Sequence, residues 1–426
     1  MKQICLIFHT HQPVRLKNYR FYEIGGKNSY FSEESNKSSL TTTANKQFIP
    51  VNKVLLDIFK NPALQFKISF SFTGCTLDLF EAFTPDLIKN LKMMNQIGNV
   101  EFLGETYSHA LAAEFSDEDL MLQIENQKKK IFNLFGQIPR SFMNQGLYCN
   151  QFLSAILSDL GYKVLLNNTA EVFVSLPHPN TAFQFPEKPK VKLLFGNKKI
   201  GEAILNPKNN SSNKEPMTAE MLMTWINDLP EEENIVTLFI DYNAIINDQS
   251  KDTTLLDFLK ELPFKAKENN IGFITPAEIQ RRKNFAEIPV SIKSPKSPEE
   301  LQHLTSVDKP LQKEILNLLF SLKKKVYQTK NDSLIKTWFY LHDNSHLDAL
   351  DENIEYVESS GKEGFQATIN TYINLRNIIQ DLSFKVNHLL EEKNADFGQT
   401  FSLSDSNKTS FQKESSSNND LKIQVY

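Results

Sequence analysis

Short apolar runs alternate with amphipathic segments over the first 280 or so residues of the chain. A continuous apolar run of about four to eight residues, closed by polar residues, is typical of a strand buried on both faces of a sheet. Such runs occupy residues 4–8, 66–72, 100–103, 163–166, 235–240 and 271–275. Between them, residues 120–135, 152–160 and 255–262 have helical spacing. Strands that alternate with helices predict a parallel α/β architecture.

Polar residues cluster after the carboxyl ends of several of these predicted strands. Barrel enzymes assemble their sites at this end of their strands. We therefore expect an α/β barrel rather than an open sheet.

The composition changes along the chain and predicts its division into domains. Residues 208–215 are rich in Asn, Ser and Lys and predict a surface loop, and four prolines with scattered charge mark a linker further on. Residues 311–326 and 365–390 have helical periodicity, which predicts a small helical bundle packed on the barrel. The final segment is polar and lacks apolar periodicity, so it cannot repay the entropy of ordering. The predicted units are a barrel at 1–284, a linker at 285–310, a helical domain at 311–393 and a disordered tail at 394–426.

Charge and cysteine content exclude several classes of function. The chain has 47 Lys and Arg against 51 Asp and Glu, a formal net charge of −4, which is too balanced to attract nucleic acid or an anionic membrane. Three cysteines without a CxxC pair predict neither a disulfide framework nor a thiolate zinc site. The apolar run at 4–8 is too short for a secretory leader, and no run reaches the ~18 apolar residues of a membrane span. We expect a cytoplasmic protein.

Two predicted strands end in residues that suit a binding cleft. His9 and His11 follow the first strand and are two residues apart, so on an extended backbone they point to the same side, together with Gln12 in the HTHQP sequence at 9–13. Glu105, Tyr107 and His109 follow the strand at 100–103 in the same way. Imidazoles in such a position can bind a metal or hydrogen-bond to sugar hydroxyls.

These motifs resemble glycoside hydrolase family 57, the α-amylase-like branch that acts on α-1,4-glucans. HTHQP is similar to the opening signature of the family, and EFLGETYSHAL at 101–111 is similar to its second motif. Further similar segments are NYRFYEIG at 18–25, FGQIPRSFMN at 135–144, VTLFIDY at 236–242 and GFITPAEI at 272–279. The resemblance implies an irregular (β/α)7 barrel followed by a C-terminal helical bundle.

The chain departs from the family at the catalytic motifs. The resemblance implies that the motif FRNTEL supplies the nucleophilic Glu, but this chain has FMNQGL at 142–147 and places Gly146 there. The family motif DYETFG appears as DYNAII at 241–246, so Asp241 would remain as the general acid and base. The later motif SDHFYYM keeps only His346. Leu176 replaces a family Trp that would suit stacking on glucose.

A retaining glycosidase needs two carboxyl groups about 5–5.5 Å apart, one of them as the nucleophile. A glycine supplies neither a nucleophile nor a negative charge, so we expect hydrolysis by the family route to be lost or much reduced. Glucan binding or regulation beside an active amylase is then the expected function, without a cofactor. An active enzyme stays open as the alternative, with Asp241 and a water activated by another carboxylate such as Glu105, and so does a purely structural partner of another carbohydrate enzyme. The expected substrate-binding residues are His9, His11, Gln12, Glu105, Tyr107, His109, Tyr242 and His346.

Three other patterns compete with this interpretation. His342 and His346 have the i, i+4 spacing of a zinc-binding helix, but the motif lacks the Glu of HExxH and an obvious third ligand. A metal-dependent polysaccharide deacetylase would need paired aspartates after the first strand, and these are missing. Trp338 and Tyr22 could offer sugar platforms, although Trp338 lies on a predicted helix and is expected in the core.

Overall fold

The computed structural model describes most of the barrel region and the helical region of the chain. The described residues are 1–26, 28–109, 117–144, 151–167, 176, 178–186, 191–205, 217–243, 254–282, 285–288, 310–350 and 364–408. The predicted loop at 208–215 and most of the predicted linker at 285–310 lie outside them.

Parallel strands form the centre of the molecule. The strands are β1 (Gln3–Thr10), β2 (Ile68–Phe72), β3 (Val100–Leu103), β4 (Ser141–Asn144), β5 (Val164–Asn167), β6 (Ala182–Gln184), β7 (Lys192–Phe195), β8 (Ile235–Asp241), β9 (Gly272–Phe273) and β10 (Ala286–Glu287). One sheet has the order β3-β2-β1-β8, with β9 paired to the start of β1, and the other has the order β10-β6-β7-β5-β4. All pairs are parallel except β6 with β7.

Two isolated bridges join these sheets into a closed ring. Gly104 pairs with Phe142 and thereby links β3 to β4, while Gly196 pairs with Thr237 and links β7 to β8, both in parallel orientation. The ring therefore runs β1-β2-β3-β4-β5-β7-β8 and back to β1, which makes an irregular seven-stranded barrel. We call the two bridged junctions the seams.

Alternation along each strand separates an interior core from outer cores. Cys5 and Ile7 of β1 pack inside the ring with Leu103, Met143 and Phe239. The intervening residues of β1 instead pack outward in a larger cluster with helices of the same half of the barrel. Because side chains alternate between faces, residues two positions beyond the interior ones also face the barrel axis.

Helices surround the strands. They are α1 (Glu33–Thr43), α2 (Ile49–Phe59), α3 (Gly74–Phe83), α4 (Pro85–Ile97), α5 (Asp117–Phe135), α6 (Gln151–Asp159), α7 (Lys198–Leu205), α8 (Ala219–Asp228), α9 (Thr254–Glu268) and α10 (Pro276–Ile279). A π-helical turn at Ala44–Phe48 joins α1 to α2, and short 3-10 turns occupy Phe21–Glu23 and Pro62–Leu64. At the start of α3, the Thr73 side chain accepts from the amide of Thr76 and caps the helix.

The C-terminal helices pack on the barrel and share a core with it. They are α11 (Pro310–Ser321), α12 (Lys323–Gln328), α13 (Asp332–Tyr340), α14 (Asn344–Asp348) and α15 (Gly364–Lys408). Their apolar cluster includes Tyr19, Tyr30 and Tyr107 from the barrel region. Trp338 is buried there, as predicted, and its indole donates to the carbonyl of Leu319.

The predicted strands and helices of the barrel are found at their expected positions, with ends that differ by a few residues. The apolar runs did not reveal β4, β6, β7 or β10. The backbone of α15 continues to Lys408, past residue 394 where the sequence predicts a disordered tail, so for 394–408 the structure differs from that prediction. No helix in the described ranges is both long and apolar enough to cross a bilayer.

Candidate functional site

The strand register brings His9 and Asp241 together at the mouth of the barrel. His9 lies opposite Asp241 of β8 and opposite Ser71 of β2. All three are two residues beyond interior positions of their strands, so their side chains face the barrel axis at the carboxyl end. The backbone amide of Asn243 donates to Asp241 Oδ1 over 2.8 Å and fixes one carboxylate oxygen.

Glu105 completes this layer from the neighbouring strand. It follows Leu103 by two residues, it is buried, and its Oε2 accepts from the hydroxyl of Ser71 over 2.7 Å. His109 Nδ1 lies 3.6 Å from the other oxygen, Oε1. Burial alone would lower the pKa of His109, but the Glu105 carboxylate outweighs burial and raises it. Glu105 and His109 therefore form an ion pair when His109 is protonated.

His9 stands between the two carboxylates. Desolvation in the mouth lowers its pKa, and the charges of Asp241 and Glu105 oppose that shift. Both carboxylates are thus close enough to His9 to influence its protonation. A neutral His9 at pH 7 can donate one hydrogen bond and accept another, which suits a sugar hydroxyl.

His11 connects the mouth to the helical bundle. Its Nδ1 lies 3.0 Å from the hydroxyl of Thr73, and its Nε2 lies 2.9 Å from Asp343 Oδ2. The His11 ring also stacks on His109 with 4.6 Å between ring centroids. Burial would raise the pKa of Asp343, but His11 outweighs it and the pKa is lowered. Residues from both parts of the chain therefore build this wall.

Gln12 and His346 lie beside this wall. The Gln12 amide Nε2 donates to Asn243 Oδ1 over 2.6 Å and bridges the loops that follow β1 and β8. His346 is buried, and burial lowers its pKa against the opposing charge of Asp343. Its Nε2 has no hydrogen-bond partner among the residues that the structure describes.

The structure places Tyr242 and Tyr107, two of the predicted substrate-binding residues, in the core. Tyr242 is fully buried, stacks on Phe48 at 4.5 Å, and its hydroxyl donates to Asn52. The Tyr107 hydroxyl donates to Asp78 Oδ2 over 2.6 Å in another buried position. Both hydroxyls are satisfied within the core, so neither can bind a sugar without unpacking it.

Other candidates are also placed away from the mouth or cannot be located. Leu176 is buried in the outer core of the β4–β7 half. Tyr22 is exposed on the 3-10 turn Phe21–Glu23 and bonds to Arg20. Gly146, the predicted position of the lost nucleophile, lies outside the described residues, as do 244–246.

His342 and His346, the pair with the spacing of a zinc-binding helix, lie in different surroundings. His342 Nδ1 lies 2.6 Å from the carbonyl of Trp338, and the ring packs against that indole at 4.0 Å. Burial lowers its pKa to about 4. His346 is instead influenced by Asp343 and His11, so the two imidazoles have different surroundings.

A different trio lies close together, with ligand atoms of His11, Cys75 and Asp343 within 4.8 Å of one another. Both nitrogens of His11 are already hydrogen-bonded to Thr73 and Asp343, so a metal ion would have to displace one of these bonds. The arrangement is explained by hydrogen bonding alone.

Sequence reasoning missed Ser71 and Asp343. Ser71 could have been recognised from the sequence, because the ISFSF sequence of β2 alternates Ser with Phe and so places hydroxyls inside the barrel. No local pattern identifies Asp343, since its partner His11 is 332 positions away.

A closed ring of seven parallel strands with carboxylates and imidazoles at its carboxyl end defines a (β/α)7 barrel, with polar groups at the end where barrel enzymes place their sites. Residues 5–292 match glycosyl hydrolase family 57, and the chain belongs to this family, as the motifs predicted.

Two curated proteins are similar in sequence. "Putative alpha-amylase" of Methanocaldococcus jannaschii is 28% identical over 284 residues, which cover 66% of this chain and 59% of that protein. "Alpha-amylase 1" of Dictyoglomus thermophilum is 26% identical over 115 residues, which cover 27% of this chain and 16% of that protein. The chain thus spans less than two thirds of the length of both relatives.

Solved structures of the family have the same fold. A GH57 branching enzyme from Thermococcus kodakaraensis superimposes with a TM-score of 0.62 at 11% identity, over 92% of this chain and 93% of that chain. The α-amylase AmyC from Thermotoga maritima gives a TM-score of 0.59 at 12% identity, over 92% and 98% of the two chains. These similarities confirm the predicted barrel fold.

Proposed function

We propose that this protein binds α-1,4-glucans or maltooligosaccharides at the mouth of the barrel, with hydrolysis by the family's retaining route lost or much reduced. The observation that carries the binding proposal is the layer of His9, Glu105 and Asp241, whose polar groups converge where barrel proteins hold their ligands. The loss of hydrolysis rests on the sequence, in which Gly146 stands at the nucleophile position.

The polar walls of the mouth support binding. His9, Glu105 and His109 offer hydrogen-bonding groups that are positioned before a ligand arrives, because Ser71 and His11 hold Glu105 and His109. A pre-positioned polar site loses less entropy on binding than a mobile one. We also propose, from the sequence alone, that the protein acts in the cytoplasm and works beside an active amylase.

Calorimetric titration with maltoheptaose tests this function. We expect heat of binding for the wild-type protein and at least about tenfold weaker binding for His9→Ala, which corresponds to about 1.4 kcal/mol. The matched control is His388→Ala, because His388 lies on α15 and is exposed. If the wild-type protein releases no heat and shows no thermal shift at millimolar maltoheptaose, only a structural role is left.

One observation favours an active enzyme as the second candidate. Asp241 and Ser71 lie on the strands that flank β1, and adjacent strands are about 4.8 Å apart, so their backbones are about 10 Å apart. Glu105 is bonded to Ser71, and its charge acts on His9. A carboxyl separation on the order of 6–10 Å overlaps the range of about 6.5–9.5 Å that inverting glycosidases use, with a water between the two groups.

In that candidate mechanism Asp241 protonates the leaving glycosidic oxygen and Glu105 removes a proton from the attacking water. NMR of the first-formed product tests it, because inversion of an α-glucan gives the β-anomer whereas retention gives the α-anomer. This activity would be established if the wild-type protein gives the β-anomer and turnover disappears in both Asp241→Asn and Glu105→Gln. That result would contradict the loss of catalysis. Absence of turnover in the wild-type protein contradicts the second candidate.

A further inference from the structure

Two adjacent aromatic side chains project into solvent beside a groove that none of His9, Glu105 and Asp241 lines. Phe21 is 76% exposed and Tyr22 is 73% exposed, on the 3-10 turn Phe21–Glu23, which we call the aromatic turn. Scattered exposed apolar residues are ordinary, but neighbouring exposed aromatics on one turn are typical of a binding surface.

The aromatic turn is held rigidly by its own hydrogen bonds. The amide of Arg20 donates to Glu23 Oε2 over 2.8 Å, and the amide of Glu23 donates back to the Arg20 carbonyl over 2.9 Å. The buried Tyr19 donates its hydroxyl to the Glu23 carbonyl over 2.7 Å. Arg20 Nη1 also donates to the Tyr22 hydroxyl over 2.8 Å. These bonds fix the backbone of the turn and hold the hydroxyl of Tyr22, which lowers the entropy lost when a ligand binds.

A groove with a volume of about 700 Å³ lies between the aromatic turn and α15. We call it the amide groove, since its lining includes Asn18, Arg20, Phe21, Asn370, Asn374 and Asn377. The side-chain oxygen of Asn374 accepts from the Tyr19 amide, and its NH₂ group donates to the Lys17 carbonyl. The NH₂ group of Asn377 donates to the Tyr19 carbonyl. A side-chain amide has two donor and two acceptor positions, so each of these residues keeps further capacity.

The charged residues that line the amide groove indicate which class of ligand it can bind. No Asp or Glu lines it, and its one cation, Arg20, is bonded to Tyr22. The groove therefore suits a neutral ligand with many hydroxyl groups and flat apolar faces. A volume of about 700 Å³ is in the range of small-ligand sites.

From this combination we infer a second carbohydrate site, in which an α-glucan stacks its sugar faces on Phe21 and Tyr22 and hydrogen-bonds to the asparagines of the amide groove. The inference rests on the proposed function for the choice of α-glucan. The second site would hold a long or branched chain on the protein surface while another segment of the chain enters the barrel mouth.

Two variants of the full chain separate the two sites. Phe21→Ala/Tyr22→Ala removes the exposed rings, and the matched control Phe132→Ala removes another exposed ring on α5. His9→Ala impairs the barrel mouth. Binding to insoluble amylose is measured by co-sedimentation, and maltoheptaose stoichiometry is measured by calorimetry.

We expect wild-type protein and Phe132→Ala to bind maltoheptaose at two sites, and the double variant and His9→Ala each to keep one. Amylose binding by the double variant should fall at least tenfold. This inference is overturned if the wild-type protein binds maltoheptaose at one site, and if His9→Ala abolishes that site whereas the double variant keeps it. The proposed function would then still stand. No glucan binding by wild-type protein would overturn both. A change in oligomeric state of the double variant with unchanged amylose binding would identify the surface as a contact between copies and overturn the inference as well.

Discussion

Glu101 is a carboxyl group enclosed in the barrel one layer below the mouth, on the amino-terminal side of Leu103. Its Oε2 accepts from the amide of Ala277 over 2.8 Å, whereas its Oε1 has no hydrogen-bond partner among the described residues. Burial raises the pKa of Glu101 from its ordinary value of 4.5 to about 6, against the donors that surround it. The folded protein therefore keeps this carboxyl protonated to a higher pH than the unfolded chain does.

The raised pKa of Glu101 predicts a pH-dependent stability. Its contribution is present in full below the unfolded pKa of 4.5 and is lost as the pH rises through about 6. The difference of about 1.5 pKa units corresponds to about 2 kcal/mol. We expect Glu101→Gln to be more stable than wild-type protein at pH 7 by up to about 2 kcal/mol and to lose that advantage near pH 4.5.

Urea unfolding from pH 4.5 to 7.5 measures this difference, with Glu34→Gln on the exposed side of α1 as the control. A constant difference between wild-type protein and Glu101→Gln across this range would contradict the prediction.

The proposed loss of hydrolysis depends on Gly146. Gly146→Glu returns a carboxylate to the position that resembles the family nucleophile, so we expect maltoheptaose hydrolysis above the wild-type level. Gly146→Gln is the control, because it fills similar space without a charge. Equal turnover by both variants, or none by either, would show that position 146 is not what limits the reaction.

The side chains of Tyr107 and Tyr242 show why a local sequence pattern predicts the positions of strands better than it predicts side-chain contacts. Both tyrosines follow a strand end, where the sequence favours a cleft. Their hydroxyl partners, Asp78 and Asn52, lie 29 and 190 positions away, so burial could not be inferred from neighbours in the sequence. His9, Glu105 and Asp241 were predictable, because each follows an apolar run and the register of parallel strands brings such ends together.

At the scale of elements, the polar content of a strand limited what the sequence could predict. β1 and β8 have long apolar runs and were evident, whereas β4 has four residues, two of them polar, and follows Pro139 and Arg140. A segment as short as β4 forms a strand because it pairs and packs with its neighbours in the sheet, and its own composition does not favour a strand. The seam beside it could not be predicted for the same reason.

Gly104 is the residue that allows β3 to approach β4 at one seam. Its amide donates to the Ser141 carbonyl and its carbonyl accepts from the Met143 amide, each over 2.8 Å. A Cβ atom at this position would lie 2.4 Å from the ring of Tyr162, which is buried. Space, rather than backbone conformation, therefore requires glycine here.

We expect Gly104→Ala to lower the free energy of unfolding by roughly 1–3 kcal/mol or more through overpacking against Tyr162. Thermal and urea unfolding measure the loss. The double variant Gly104→Ala/Tyr162→Val supplies the control, because it removes the clashing ring. Additive losses from the two substitutions would contradict the clash, since residues in contact should show coupling.

At the scale of the whole molecule, Asp381 fastens the long helix α15 to the barrel region. It is buried and accepts from the Gly25 amide and the Tyr30 hydroxyl, each over 2.6 Å, and it pairs with Lys385 over 2.7 Å. Burial would raise the pKa of Asp381, but Lys385 and the two donors outweigh it and lower the pKa. The charged form of Asp381 thus stabilises the docked helix.

Asp381→Asn should destabilise the protein by roughly 2–4 kcal/mol, because a partner of Lys385 and a charged acceptor are lost together. The wild-type contribution is present above the unfolded pKa and disappears as the pH falls through the lowered folded pKa, so the two proteins should converge in acid. Urea unfolding at several pH values measures this, and Glu391→Gln at an exposed position of α15 is the control. A loss that is independent of pH would contradict a role for the charge.

The two seams affect how far substitutions in one half of the barrel influence the other half. In the described residues each seam is a single isolated bridge, so few main-chain bonds there tie the half with β1, β2, β3 and β8 to the half with β4, β5 and β7. Asp241, His9 and Glu105 belong to the first half, while position 146 follows a strand of the second. Both halves share the interior core, so the loops beyond that core can change on one side of the mouth while the strands on the other side keep their positions.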